Sequence, residues 1–188
     1  MYQGLSLAGK VTVITGGAGG IGQTTSELMI ARGARVVVAD LDIDRAQAVG
    51  RKLGDAAHAT EVELTSEGSI KSMVAPTVDH FGRIDILLNN ATAVGSELVD
   101  ADRGIGEMET WAWDTFFDVN CRGTMIATRE SLPHLIRSGS GATVNTDSGM
   151  ALQGNICFHA YSARKAALSP PHMGARVCDA MRSPPVWS

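Results

Sequence analysis

The chain has 188 residues, 44% of them hydrophobic and 19% charged, with a formal net charge of −4. That size and composition fit one soluble globular domain over 1–188 and leave little room for a second core. They give no electrostatic reason to expect nucleic acid or an anionic membrane as partner, no apolar run reaches the roughly 20 residues of a membrane helix, and the start of the chain carries no secretory signal.

The stretch "VTVIT" at 11–15 is a β-branched run that ends in glycines, the pattern of a buried strand. A helix follows from about Ile21, with Gly33 as its stop. "ARVVVAD" at 34–40 reads as a second strand, and 42–54 as a second helix closed by Gly54. "AHATEVEL" at 57–64 is a weaker third strand. Ser66 is a candidate N-cap for a third helix, which Pro76 should kink or split. "RIDILLNN" at 83–90 is a fourth strand. A long polar loop over 92–109 precedes one long helix, 110–139. "ATVNTD" at 142–147 is a fifth strand, and a loop over 148–157 leads to a helix carrying Tyr161. Strands alternating with helices predict an α/β fold with a doubly wound parallel sheet of Rossmann type. Near-continuous apolar strands such as Val36–Val38 fit a sheet covered on both faces.

"TGGAGGIG" at 15–22 lies between the first strand and the first helix. Gly16, Gly20 and Gly22 permit a tight turn and close backbone approach. The N–H groups of the helix beginning at Ile21 point at that turn, which makes an anion site suited to a pyrophosphate. Asp40 ends the second strand, where a carboxylate can accept hydrogen bonds from both ribose hydroxyls of an adenosine and repels a 2′-phosphate. No Lys or Arg lies among the loop glycines, and Leu41 and Asp42 follow. The signs favour NAD over NADP. Tyr161 and Lys165 stand at i and i+4, on one helix face. A neighbouring ammonium favours a phenolate, so such a Tyr can exchange a proton with an alcohol or ketone. Ser148 follows the fifth strand, at the end where doubly wound sheets bind ligands. Cys121, Cys157 and Cys178 have no zinc-like spacing, so reduced cytoplasmic cysteines and no metal are expected.

In these motifs, from about Leu7 to Leu168 and in unbroken order, the chain resembles the short-chain dehydrogenase/reductase family. "TGGAGGIG" is similar to the family's cofactor motif. "NNA" at Asn89–Ala91, including Asn90 and Ala91, is similar to the segment that stabilises the central sheet and lines the cofactor. Asn120 in "DVNCRG", Ser148 in "VNTDS", and Tyr161 and Lys165 in "YSARK" match its catalytic positions. The resemblance implies that Tyr161 is the general acid/base and that Lys165 lowers its pKa and binds the nicotinamide ribose. It implies that Ser148 orients the substrate oxygen and that Asn120 holds a proton-relaying water. Glu63 and Leu64 fall where the family places an acidic and an apolar residue against adenine, Glu63 replacing the usual Asp. The implied activity is hydride transfer between a secondary alcohol or ketone and NAD, with a small-molecule substrate and a homo-oligomer as the family's assembly. The alternative is an NAD-binding protein or fragment that has lost turnover.

Some positions depart from the family. Thr92 stands for the usual Gly after "NNA". Asp147 precedes Ser148 where a small neutral residue is usual, and such a carboxylate would work against Lys165 if it faced Tyr161. His159, two residues before Tyr161, reads as a lining residue. Pro170 and Pro171 stop the Tyr161 helix near Leu168. Four of the six prolines lie at 170, 171, 184 and 185, so 169–188 reads as an atypical tail. It holds a faint sixth strand at "ARVCDAM" and lacks the family's substrate lid and last strand. The expectations are weak or absent turnover and a doubtful oligomer.

Overall fold

The computed structural model describes residues 6–153 and 157–168. The atypical tail, its faint strand and the effect of its prolines lie outside the described residues.

Among the described residues five strands form one wholly parallel sheet: β1 (Val11–Thr15), β2 (Arg35–Asp40), β3 (Ala57–Glu61), β4 (Ile86–Asn89) and β5 (Ala142–Asn145). Their spatial order is β3-β2-β1-β4-β5, so the chain winds outward from β1 in one direction and then in the other. This is the doubly wound Rossmann-type arrangement, and its reversal point lies between β1 and β4. Ile14 pairs with Val38 on one side and Leu88 on the other, which fixes the register around the centre.

Alternation along the strands divides the core in two. Val11, Val13, Val37 and Ala39 face one way, packed with Ile70, Met73, Ile126 and Leu135 of α3 (Glu67–Phe81) and α6 (Gly123–Arg137). Ile14, Val36 and Val38 face the other way and meet Met29 and Ile30 of α1 (Gly20–Ile30) and Ala46 and Val49 of α2 (Ile43–Leu53). At the base of the sheet Asp85, fully buried, accepts hydrogen bonds from Val11 N–H, Lys10 Nζ and Arg83. Burial raises the Asp85 pKa, but the bonds from Arg83, Val11 and Lys10 outweigh it and hold the carboxyl below its ordinary range.

Ser66 caps α3 as read, by accepting from Ser69 N–H, and Asp42 caps α2 by accepting from Arg45 N–H. Several elements differ from expectation. Pro76 does not split α3, which runs unbroken from Glu67 to Phe81. Strands β3, β4 and β5 are shorter than their apolar runs, because pairing ends where the partner strand ends. The polar stretch 92–109 contains a short helix, α4 (Ser96–Ala101), whose Leu98 and Ala101 are buried against Ala112, Phe116 and Ala160. The stretch 110–139 is not one regular helix. It is α5 (Thr110–Phe116), a π-helical turn over Phe117–Arg122, and α6. The last described helix, α7 (His159–Leu168), follows a 3₁₀ turn at Gly149–Leu152.

Candidate functional site

The glycine loop bridges β1 and α1 at the C-terminal edge of the sheet. Gly16 has φ 64° and lies so close to β4 that an added Cβ would stand 2.7 Å from Ala91 Cα. Gly22 is buried, and a Cβ there would meet Gly17 Cα at 2.7 Å. Both positions require glycine, one for its dihedral and both for space. Gly19 at the start of α1 supplies no side-chain cap to its leading N–H groups. A phosphate needs such a bare, closely approachable backbone.

Asp40 reaches back to this loop. Its Oδ2 accepts from Ala18 N–H at 2.9 Å and its Oδ1 from Asp42 N–H at 3.2 Å. The carboxylate is thereby fixed at the rim. Arg45, which the sequence reading passed over, donates to Ala18 O at 3.2 Å from the first turn of α2. A cavity of about 820 Å³ opens here, within the usual range for a cofactor or ligand site. Gly16, Gly20, Ile21, Asp40, Glu63, Leu64, Asn90 and Ala91 line it, together with Arg45, Val94, Leu98 and Trp111. Leu64 is buried, whereas Glu63 is exposed and accepts from the Thr65 hydroxyl at 2.7 Å. Gly22 sits behind the wall. Asn120, Ser148, Tyr161 and Lys165 are not part of the lining.

A strap of hydrogen bonds joins the two groups. Asn90 Nδ2 donates to Thr15 O at 3.2 Å and to Gly16 O at 3.0 Å, and its backbone N–H donates to Thr15 Oγ1 at 3.1 Å. Its Oδ1 accepts from the Thr146 hydroxyl at 3.3 Å. The Thr146 carbonyl in turn accepts from Lys165 Nζ at 2.5 Å. Asn89 Nδ2 adds a bond to Asn145 Oδ1 at 2.9 Å. The "NNA" segment thus ties β1, β4 and β5 together at their functional ends.

Tyr161 and Lys165 lie one turn apart on α7, and Lys165 is only 4% exposed. Burial pushes its ammonium below the usual lysine range, the Arg164 charge pushes the same way, and Asp147 opposes them. Asp147 is exposed, and its Oδ1 accepts from Ser148 N–H at 2.7 Å. Ser148 precedes the 3₁₀ turn, and its hydroxyl accepts from Met150 N–H at 3.3 Å. Asn120 sits in the π-helical turn at 1% exposure. Its Nδ2 donates to Phe116 O at 2.8 Å, and its Oδ1 accepts from Arg164 Nη1. Such single π-helical turns inside α-helices are frequent at functional sites.

Sequence reading missed what holds α7. Asp102, just past α4 and 1% exposed, accepts from Ala160 N–H and Tyr161 N–H at 2.9 Å each. Its carbonyl accepts from Phe158 N–H at 3.0 Å. Phe158 has φ 62°, the only described non-glycine residue with positive φ, so α7 begins from a strained residue that Asp102 grips. A lone acid in a polar loop carries no signal of this.

The short chain dehydrogenase family model matches residues 10–173. A probable short-chain type dehydrogenase/reductase of Bradyrhizobium diazoefficiens is 36% identical over 164 residues, covering 86% of this chain and 58% of that protein. A sorbitol dehydrogenase of Cereibacter sphaeroides is 34% identical over 165 residues, covering 87% and 62%. A 3-ketoacyl-(acyl-carrier-protein) reductase of Brucella melitensis, solved in complex with NADH, superposes with a TM-score of 0.80 at 29% identity, covering 87% of this chain and 66% of that one. The chain therefore spans about three fifths of the length of these curated relatives. With its cradle, its parallel sheet and its "YSARK" helix in one continuous match, the chain belongs to the short-chain dehydrogenase family.

Proposed function

We propose that the chain transfers a hydride between a secondary alcohol or ketone and NAD, with Tyr161 as general acid/base. The observation that carries this reading is the strap from the glycine cradle through Asn90 and Thr146 to Lys165. It links the Tyr161 helix to the glycine loop, which supports a reaction between a dinucleotide and a small alcohol. The residues fit the dinucleotide: at Gly16 and Gly22 a Cβ would collide with the backbone of Ala91 and Gly17, so only glycine keeps the loop this tight, and Asp40 presents fixed carboxylate oxygens to a ribose. The NADH complex of the Brucella melitensis reductase supports the same cofactor class. For NAD over NADP the support is Asp40, although Arg45 stands near it on the cavity wall.

When bound, NAD supplies the hydride chemistry, and this chain's residues handle the proton and the orientation. Tyr161 passes a proton to or from the substrate oxygen. Ser148 turns its hydroxyl to that oxygen and stabilises charge there. Lys165 holds positive charge beside the phenol and meets the nicotinamide ribose. Asn120 holds a water that relays protons towards Lys165. Glu63 and Leu64 flank the adenine. We assign the protein to the cytoplasm, on the cysteine pattern of the sequence.

The test is NADH formation by the purified chain with a panel of secondary alcohols, preceded by calorimetric titration with NAD and NADP. Tyr161→Phe should lower turnover by about 10²-fold or more and leave NAD affinity unchanged. Activity that survives this change would move the chemistry to another residue.

A further inference from the structure

We propose that Arg164 is a positioning residue for this reaction: its buried guanidinium, clamped between the rings of Phe116 and Tyr161 and bonded to Asn120, sets the place and the charge environment of the phenol. This rests on the assignment of Tyr161 as acid/base.

Arg164 is wholly buried. It follows Tyr161 by three positions and precedes Lys165, so all three share one side of α7. Its guanidinium carbon lies 4.2 Å from the centroid of the Tyr161 ring and 4.8 Å from that of Phe116. The two rings meet edge to face at 6.3 Å and 89°. Nη1 donates to Asn120 Oδ1, while Nε and Nη2 are buried with no hydrogen-bond partner among the described residues.

A buried cation so sparsely hydrogen-bonded is a costly way to fill space, and an apolar side chain of similar volume would fill it without that cost. The charge is retained all the same. Burial pushes the guanidinium down to about 10, so it stays protonated at neutral pH. Attraction to negative charge on Tyr161, then Cys121, then Asp102 helps keep it so. The guanidinium lies over the Tyr161 ring face at 4.2 Å, where a cation and the ring's electrons attract each other. The charged and titratable neighbours of this cluster come from several elements. They are Tyr161 and Lys165 on α7, Cys121 in the π-helical turn, Asp102 past α4, and Asp147 past β5, which acts on Lys165. Arg164 therefore meets the acid/base through its ring face and the Asn120 amide through a hydrogen bond. It also repels the Lys165 charge from one position away.

The chain's two tyrosines are Tyr2 and Tyr161. In a Tyr2→Phe background, ultraviolet titration of phenolate formation therefore reads Tyr161 alone, without substrate, cofactor or turnover. Arg164→Met keeps the volume and removes the charge. Arg164→Gln also keeps a donor for Asn120. Arg164→Lys restores the charge. Phenolate should form about one pH unit higher in the Met and Gln variants than in the parent, the scale of one adjacent charge. Lys should recover most of that difference. Where alcohol oxidation is measurable, its rise with pH should move by the same amount while KM for NAD stays fixed. Circular dichroism melts identify the folded variants, and Gln decides if Met does not fold. An unchanged titration in a folded neutral variant, or no recovery by Lys, overturns the proposal. If the titration moves as expected but no alcohol is oxidised, Arg164 acts on Tyr161 as proposed and the assignment of the reaction is what fails.

Discussion

Replacing Asp102 by Ala removes the carboxylate that receives the first N–H groups of α7. Two bonds at 2.9 Å are lost, from Ala160 and Tyr161, at a site 1% exposed. A hydrogen bond to a buried charged group contributes about 1.5–3 kcal/mol. Water entering the gap recovers part of that, so a local loss of about 3 kcal/mol is expected. The backbone bond from Phe158 to the residue 102 carbonyl survives the substitution, and the damage should centre on the first turn of α7. A loss of 3 kcal/mol corresponds to roughly 10²-fold more frequent opening. Hydrogen–deuterium exchange read by NMR should therefore show the Ala160 and Tyr161 amides exchanging about 10²-fold faster, while those of β1 and β2 change much less. Turnover, where measured, should fall by a similar factor, since a misplacement of about 1 Å can cost that much. Unchanged protection at Ala160 and Tyr161 would show that Asp102 does not hold the helix and would refute the reasoning.

Three further outcomes are expected. Asp40→Ala should narrow the difference between NAD and NADP affinity by about 1–3 kcal/mol, with Arg45 left at the rim; calorimetry on both cofactors checks it, and tighter NADP binding by the parent chain would contradict the assignment. Gly22→Ala should abolish NAD binding and lower the melting temperature, because the new Cβ meets the backbone of Gly17. Asp85→Asn should cost about 2 kcal/mol in urea unfolding at neutral pH, since buried Asp85 joins the cations at Lys10 and Arg83, both partly exposed, to Val11. The Asp85 pKa is lowered in the fold, so its contribution is fully present above the unfolded value of about 3.9 and is lost as the pH falls below it. The gap between parent and variant should close over that range.

Runs whose meaning is local were readable from the sequence. "VTVIT" and "RVVVAD" are β-branched and flanked by turn residues, and they form the central strand and one of its two neighbours. "TGGAGGIG" was legible because a strand–glycine–helix order has few physical uses. Features that depend on distant partners were not legible. The π-helical turn joins an Asn120–Phe116 bond to Gly123, where a Cβ would press on Leu64 of the turn beyond β3. Helix α4 shows only Leu98 and Ala101 as apolar anchors, and these acquire meaning once Phe116 and Ala160 arrive above them. Pro76 reads as a breaker because a missing N–H usually ends a helix. Here Ile70, Met73, Val74 and Phe81, packed in the core, hold α3 together across it. Asp102 and Arg164 carry no local signal of burial, and only tertiary packing shows both to be buried.

The strap built on Asn90 has a consequence for how the molecule comes into being. Its bonds to Thr15 and Gly16 close loops of 75 and 74 residues, so the nucleotide cradle cannot be completed by the N-terminal stretch that supplies its glycines. It must wait for β4 to dock against β1, and such distant pairings are entropically dear and slow to form. The glycine loop is therefore no portable cassette. Any ligand gripped there selects chains whose sheet has already zipped across its centre, and by mass action it stabilises them as whole molecules. Occupancy of the cradle is in that sense a readout of maturation during biogenesis.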